Sequence, residues 1–521
     1  MPNERASNQI IKISDDMKSI IKLTLVGLFL TSCQGFLDKD PDSSLNVAID
    51  SEEKIAELLT GAYPQASYFA FLEARTDNVE ERIGGVHTRL NEAMYFWEDY
   101  DQEDLDTPLN YWNACYAGIA QANKALELLA SYPKTDRVKA LYGEAFLLRA
   151  YLHFMLVNIW AEPYGTEKAK NSAGIPYLTK PEKHALVDYK RGTVAEVYEK
   201  IEADLKLGIT LVDDNFYKKP KFHFNKKAAY AFASRFYLIK GKWDLVIEYA
   251  DYVLGSNPKQ TLRNWEHYAR LHGNNRKSLF ATYTATEEPA NLLITTTESR
   301  WKRNLPVDKY GFTDQKISEI FASKGIDGCD SDAGRKLNYV TTYLFSDSER
   351  PVNNGTYIAK FDELSLLGST GTKPKDLYVT NVLFTTDEVL LNRMEAYAMK
   401  REYEKSVEDL KEYIRGKYGN LAVPPCSNES YTSINSSFYE VYSPFYGLTL
   451  KQLALVKIIS DFRQKEFLHE GLRWFDIRRF YIPIRRNSKS PIYQPLRKED
   501  PRKLLQIPAE AINRGLAPNP R

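Results

Sequence analysis

Ala228–Leu254 reads AAYAFASRFYLIKGKWDLVIEYADYVL, and its reading decides the fold. Ala228–Ile239 carries apolar residues at the three- and four-residue intervals of a helix with a buried face. Lys240-Gly241-Lys242 breaks the repeat with a short glycine turn, and Trp243 opens a second periodic stretch that runs to Leu254 with Ala250 inside it. Helix, glycine turn, aromatic and helix are the layout of a tetratricopeptide hairpin. One such pair cannot cover its own apolar face, so other helices must stack against it.

Working outward, the expected partners are present. Val138–Trp160 has an apolar stripe through Leu141, Ala145, Leu148, Leu152, Met155, Leu156 and Ile159, with Glu144 and Arg149 outside it. Tyr111–Leu129 and Thr193–Leu211 read as helices too, and a second hairpin runs from Asp387–Met399 through Tyr403 to about Ile414. Between about Gly255 and Thr386 the pattern breaks into short β-prone runs, Ser278–Thr284, Asn291–Thr296 and Val379–Thr385, among Gly, Asn, Asp and Pro. Ser427–Tyr446 is similarly irregular. Trp301, Tyr310, Phe312, Tyr339, Tyr343 and Phe345 argue that the loop-rich part is packed. The expected fold is mainly α: tetratricopeptide-like hairpins over about 50–255 and 387–480, with a loop-rich, partly irregular ligand-facing region over about 256–386.

Lys and Arg (70) nearly cancel Asp and Glu (69) over 521 residues, so the net charge of +1 offers no field for nucleic acid. Aromatic residues are abundant, with 35 Tyr, 24 Phe and 7 Trp, which suits both core packing and ligand contact. Cys33, Cys115, Cys329 and Cys426 are too few for a disulfide scaffold; without Cys33 they allow at most one bridge. No HExxH or His-x-His appears, so no metal or other cofactor is expected. Met17–Cys33 (MKSIIKLTLVGLFLTSC) has a basic start, a short apolar core and small residues before Cys33, the order of a secretory signal. Residues 1–32 are thus read as a polar upstream segment, from a misassigned start codon, and a signal peptide. Leu30-Thr31-Ser32-Cys33 looks like a bacterial lipobox, which makes Cys33 the lipidated residue. Several acyl chains on one Cys, at ~0.8 kcal/mol per buried methylene, anchor a protein stably.

Ordered blocks carry a resemblance. Gly143–Tyr151 (GEAFLLRAY) with Asn158, Trp160 and Tyr164-Gly165 is one, and Gly174-Ile175-Pro176-Tyr177-Leu178 with Arg191, Thr193 and Glu196 is the next. Lys227-Ala228-Ala229 through Trp243 is the third, Arg463–Arg479 (RQKEFLHEGLRWFDIRR) the strongest, and Ile507-Pro508-Ala509-Glu510 the last, although Arg514 stands where Pro is usual. Together these resemble the SusD/RagB family of nutrient-capture lipoproteins of Bacteroidetes-type outer membranes. The resemblance implies a single SusD-like domain over 33–521, surface exposure, and the acidic stretch behind Cys33 as an export signal. It implies a SusC-like TonB-dependent transporter as partner, with the tetratricopeptide side facing the barrel. The ligand would be an oligosaccharide, or a peptide in the RagB-like branch, bound without catalysis.

Glu466, His469, Glu470 and Asp476 crowd what reads as one helix and invite a glycosidase reading. Arg463, Glu466, Glu470, Arg473, Asp476 and Arg479 nevertheless alternate in sign at three- and four-residue spacing, the pattern of an ion-pair ladder on a helix. Carboxylates one turn apart also point the same way, whereas glycoside cleavage needs them on opposite sides of the sugar. Nucleophile-elbow, Walker and Rossmann motifs are missing from the sequence. Sugar capture asks for flat rings and planar polar groups. Glu73–Tyr100, loop-like around Gly84-Gly85, and Glu298–Phe312 supply both, with Asn78, Arg82, Trp97 and Trp301 as the expected ligand-binding residues. A lipid-anchored glycan hydrolase and a helical assembly scaffold are the alternatives from other functional classes.

Overall fold

The computed structural model describes residues 49–165, 167–182, 189–272, 275–304, 307–321, 343–344, 356–365, 377–418, 430–432 and 447–521. Cys33 and its signal-like leader, Cys329, Cys426, Tyr339, Phe345 and most of Ser427–Tyr446 lie outside them. Cys115 is a buried free thiol.

Residues Ile55–Arg521 form one compact unit. Helix α1 (Glu52–Gly61), α2 (Phe69–Glu73), strand β1 (Glu80–Glu81) and α3 (Arg89–Tyr95) lead into three long helices, α4 (Pro108–Leu129), α5 (Asp136–Trp160) and α6 (Val194–Leu211). Local chemistry sets their starts. The Thr107 side chain accepts from the Asn110 amide and that of Thr135 from the Val138 amide, while Thr193 and Glu196 close a full capping box. Each cap contributes about 1 kcal/mol. α5 is long and apolar enough to cross a bilayer, yet 89% of its most apolar window is buried inside the protein, so it is the central core helix. That position explains a departure from its sequence reading: Glu144 and Arg149, outside the apolar stripe, are buried as well. Glu144 accepts from the Tyr63 hydroxyl at 2.7 Å, and Arg149 forks onto both oxygens of Asp204 on α6 at 2.7 Å. Gly143 lets α5 close on the end of α6, because a Cβ there would lie 2.4 Å from the Val212 amide nitrogen.

The decisive hairpin forms as read. Asn225 caps α7 (Lys226–Lys240), Gly241 ends it at φ +69°, and α8 (Trp243–Leu254) returns against it. Next come α9 (Trp265–His272), α10 (Arg276–Tyr283), β2 (Asn291–Glu298), α11 (Trp301–Asn304), β3 (Tyr310–Gly311) and α12 (Asp314–Phe321). Then follow β4 (Tyr343–Leu344), β5 (Thr356–Tyr357), β6 (Glu363–Ser365) and β7 (Leu377–Thr385). β2, β7 and β6 make an antiparallel sheet in that order, with Thr295 opposite Asn381 and Glu363 opposite Val379. Two of the three β-prone runs are therefore strands. Ser278–Thr284 instead lies mostly in α10, because both helix ends find partners: the Asn275 side chain caps the Ser278 amide, and Asn291 and Arg263 donate to the Tyr283 carbonyl.

The second hairpin is α13 (Thr386–Met399) and α14 (Tyr403–Tyr418), followed by α15 (Leu450–Glu466), α16 (Arg473–Arg479) and a short α17 (Ala509–Asn513). Arg463–Arg479 is thus two helices and not one. Between them the chain turns with His469 at φ +76° and Gly471 at φ +71°. A β-branched or bulky residue is strained in that left-handed region, and glycine is not.

Gly143→Ala is expected to lower stability by roughly 1–3 kcal/mol, since the added methyl meets fixed backbone. Urea unfolding checks it: the midpoint falls while the slope stays constant.

Candidate functional site

The two segments nominated from sequence do come together. β1 pairs antiparallel with β3, Glu80 opposite Gly311 and Glu81 opposite Tyr310, and Val86 bridges to Asp308. Gly85 packs so closely on Lys309 that a Cβ would sit 2.5 Å from its Cα. A second tie holds the far end: Asp106 accepts from the Ser299 hydroxyl and the Arg300 amide, both at 2.6 Å, and Asp104 pairs with Arg300 at 2.7 Å. The stretch 73–100 is not all loop either, since α3 lies within it, capped by Thr88.

The side chains expected to meet ligand face inward. Asn78, Arg82, Trp97 and Trp301 are all buried, at 0–3% exposure. Asn78 donates to Glu73 at 2.7 Å and accepts from Gln464 at 2.8 Å. The Arg82 guanidinium donates to the Phe312 carbonyl. Trp97 donates from Nε1 to the Arg75 carbonyl at 2.9 Å with the Arg486 guanidinium over its ring, and Trp301 donates to the His469 carbonyl at 3.0 Å. Their polar atoms are engaged in joining distant segments, which makes them the frame of the platform. Its outward side carries different residues: Ile83, 79% exposed beside Gly84, with Val86, His87, Arg89, Arg300 and Arg303. Gly84-Gly85 signals the turn in the sequence, but no periodicity distinguishes its outward residues from its inward ones.

Residues 35–238 match the SusD-like family profile described as "Starch-binding associating with outer membrane". A SusD superfamily protein from Bacteroides thetaiotaomicron superposes with a TM-score of 0.63 at 20% identity, covering 90% of this chain and 100% of the other. The chain has the SusD-like fold. A SusD-like carbohydrate binding protein from Bacteroides vulgatus gives a TM-score of 0.65 at 15% identity, over 89% and 96% of the two chains. A laminarin binding SusD-like protein gives 0.56 at 15% identity, over 90% and 98%. No curated protein sequence matches significantly.

Within this fold the charge-rich 463–479 motif is a buried network and not a ladder along one helix. Glu466 takes Lys417 at 2.9 Å, Tyr413 at 2.9 Å and Trp265 at 3.1 Å. Glu470 takes Lys360 at 2.7 Å and Tyr283 at 2.5 Å. Asp476 sits between Arg463 at 3.0 Å and Arg479 at 2.8 Å, and Arg473 forks onto Asp77. Of these contacts only Asp476 with Arg479 has the spacing of a helix ladder. Burial pushes Glu466 upward, but the ammonium groups of Lys417 and Lys360 outweigh it and keep the carboxyl below its usual value. Burial holds His469 neutral, with its Nε2 accepting from the Ile358 amide at 3.0 Å. The Glu466, Glu470 and Asp476 carboxyls are sealed from solvent, so a glycosidic oxygen does not reach them, while Asp77 is a quarter exposed and held by Arg473. Among the described residues, no three His, Cys, Asp or Glu converge as metal ligands.

Glu73 is the unusual member. Its carboxylate accepts from the amides of His469 at 3.1 Å and Gly471 at 2.8 Å, and so fixes the turn between α15 and α16. Burial raises its pKa to about 7, against the pull of Asn78 and the two amides. A raised carboxyl pKa marks general acids, but this one is wholly enclosed. Because its folded pKa exceeds the unfolded value, Glu73 contributes most below about pH 4.5, and that contribution is lost as pH rises to about 7. Subtracting the pH–stability curve of Glu73→Gln from that of the wild type is expected to leave this slope. Glu73→Ala, which orphans three buried donors, is expected to cost roughly 2–5 kcal/mol in urea.

Proposed function

We propose that this chain is an outer-membrane surface lipoprotein, anchored through Cys33, that captures an oligosaccharide and hands it intact to a SusC-like TonB-dependent transporter. The observation that carries the reading is the SusD-like fold over nine-tenths of the chain, with a family match that begins two residues after the lipobox Cys33. The description of that family as starch-binding and outer-membrane-associated, and a laminarin-binding neighbour, support a glycan as the ligand. The enclosure of every carboxylate in the 463–479 motif supports capture without cleavage.

The ligand meets the outer face where 80–106 joins 298–311. Asn78, Arg82, Trp97 and Trp301 act on it by holding that face in shape, and His87 and Arg300 stand on it. Arg300 is half-exposed and paired with Asp104, and His87 lies beside Glu92, which suits a neutral polyol.

Calorimetric titration with malto- and laminari-oligosaccharides, followed by chromatography of the recovered ligand, tests this. Saturable binding with intact sugar is expected, and His87→Ala and Arg300→Ala should each weaken it roughly five- to thirtyfold, the effect of 1–2 kcal/mol. Shortened products, or affinity for peptides alone, would overturn the reading.

A further inference from the structure

A cavity of about 280 Å³ lies away from the 463–479 network, close to the lower end of small-molecule pockets. One wall is a stripe of α4 that includes Trp112, Tyr116 and Asn123, spaced four and seven residues apart along one helix face. The chain between α5 and α6 supplies a second wall with Leu178 and Tyr189, and α17 closes the third.

Its walls are built in advance of any ligand. Tyr116 donates to the Pro176 carbonyl at 3.0 Å, and Asn123 donates to the Leu178 carbonyl at 3.1 Å while accepting from Arg149 at 2.9 Å. The Leu178 amide donates to His153 at 3.0 Å. The Trp112 ring is braced edge-on against Trp160, with centroids 5.0 Å apart. Charge selects further. Lys180 and Arg514 on the rim are offset by Glu182 and Glu510, so the cavity favours neither sign.

We propose that this cavity is a second saccharide site, separate from the outer platform, that takes a neutral sugar residue against Trp112 and Tyr116. Flat rings cover the apolar CH face of a sugar, and the fixed polar rim orients its hydroxyls. The site is linked to the platform through Asp101, whose carboxylate accepts from the Ala509 amide at the start of α17 at 2.9 Å.

Ala120 lines the cavity from an exposed position on α4, so Ala120→Phe fills the space without disturbing the core. Tryptophan fluorescence of the full chain, titrated with malto- and laminari-oligosaccharides, is the readout, and Trp112→Phe identifies the signal that belongs to this site. Ala120→Phe is expected to abolish that signal. His87→Ala and Arg300→Ala should leave it intact, so failure of this site and failure of the outer platform read differently. A sugar response unchanged in Ala120→Phe, or a cavity answering to an apolar probe alone, would overturn the inference.

Discussion

A buried carboxylate and a left-handed turn hold each other in place, and the rest of the loop-rich half depends on that latch. Glu73 ends α2, and the 467–472 turn separates α15 from α16. The turn exposes two amides that no helix satisfies, and Glu73 accepts both. From the same turn the His469 carbonyl receives Trp301, and its ring receives the Ile358 amide. Asn78, beside Glu73, receives Gln464 from α15. Both nominated segments are thus fastened to one turn more than 150 residues further along the chain than either.

Charge in the 463–479 motif serves the same end. Exposed ion pairs contribute at most about 1 kcal/mol, whereas removing one partner of a buried pair costs roughly 3–5 kcal/mol. Lys360 and Lys417 are fully buried, and their carboxylate partners come from α13 and the end of α15 or its following turn. Such pairs specify which segments meet. A hydrolytic site needs the opposite, a carboxyl that substrate can reach.

The helical half was legible because its signals are local. Periodicity, Thr caps and the Gly241 turn each act within a few residues, and Ala228–Leu254 folds as its letters suggest. Where partners are distant, the reading failed. Arg463, Glu466, Glu470 and Asp476 have helix spacing by coincidence of the period, while Gly471 was the available sign of a break. Trp97 and Trp301 have the composition of a sugar platform, but burial is settled by neighbours hundreds of residues away. Trp112 and Tyr116 show the converse, ring residues on a helix face that proves to line a cavity.

Two surfaces therefore rest on one rigid frame, an outer platform and a cavity beside α4, with the motif's carboxylates enclosed behind them. Hydrogen exchange on the full chain, with and without laminari-oligosaccharide, is the most direct examination. The account requires the His469 and Gly471 amides to exchange among the slowest in both states, with sugar-dependent protection confined to 83–89, 299–303 or the α4 cavity. Fast exchange at the 467–472 turn, or sugar-dependent protection centred on 466–476, would contradict it.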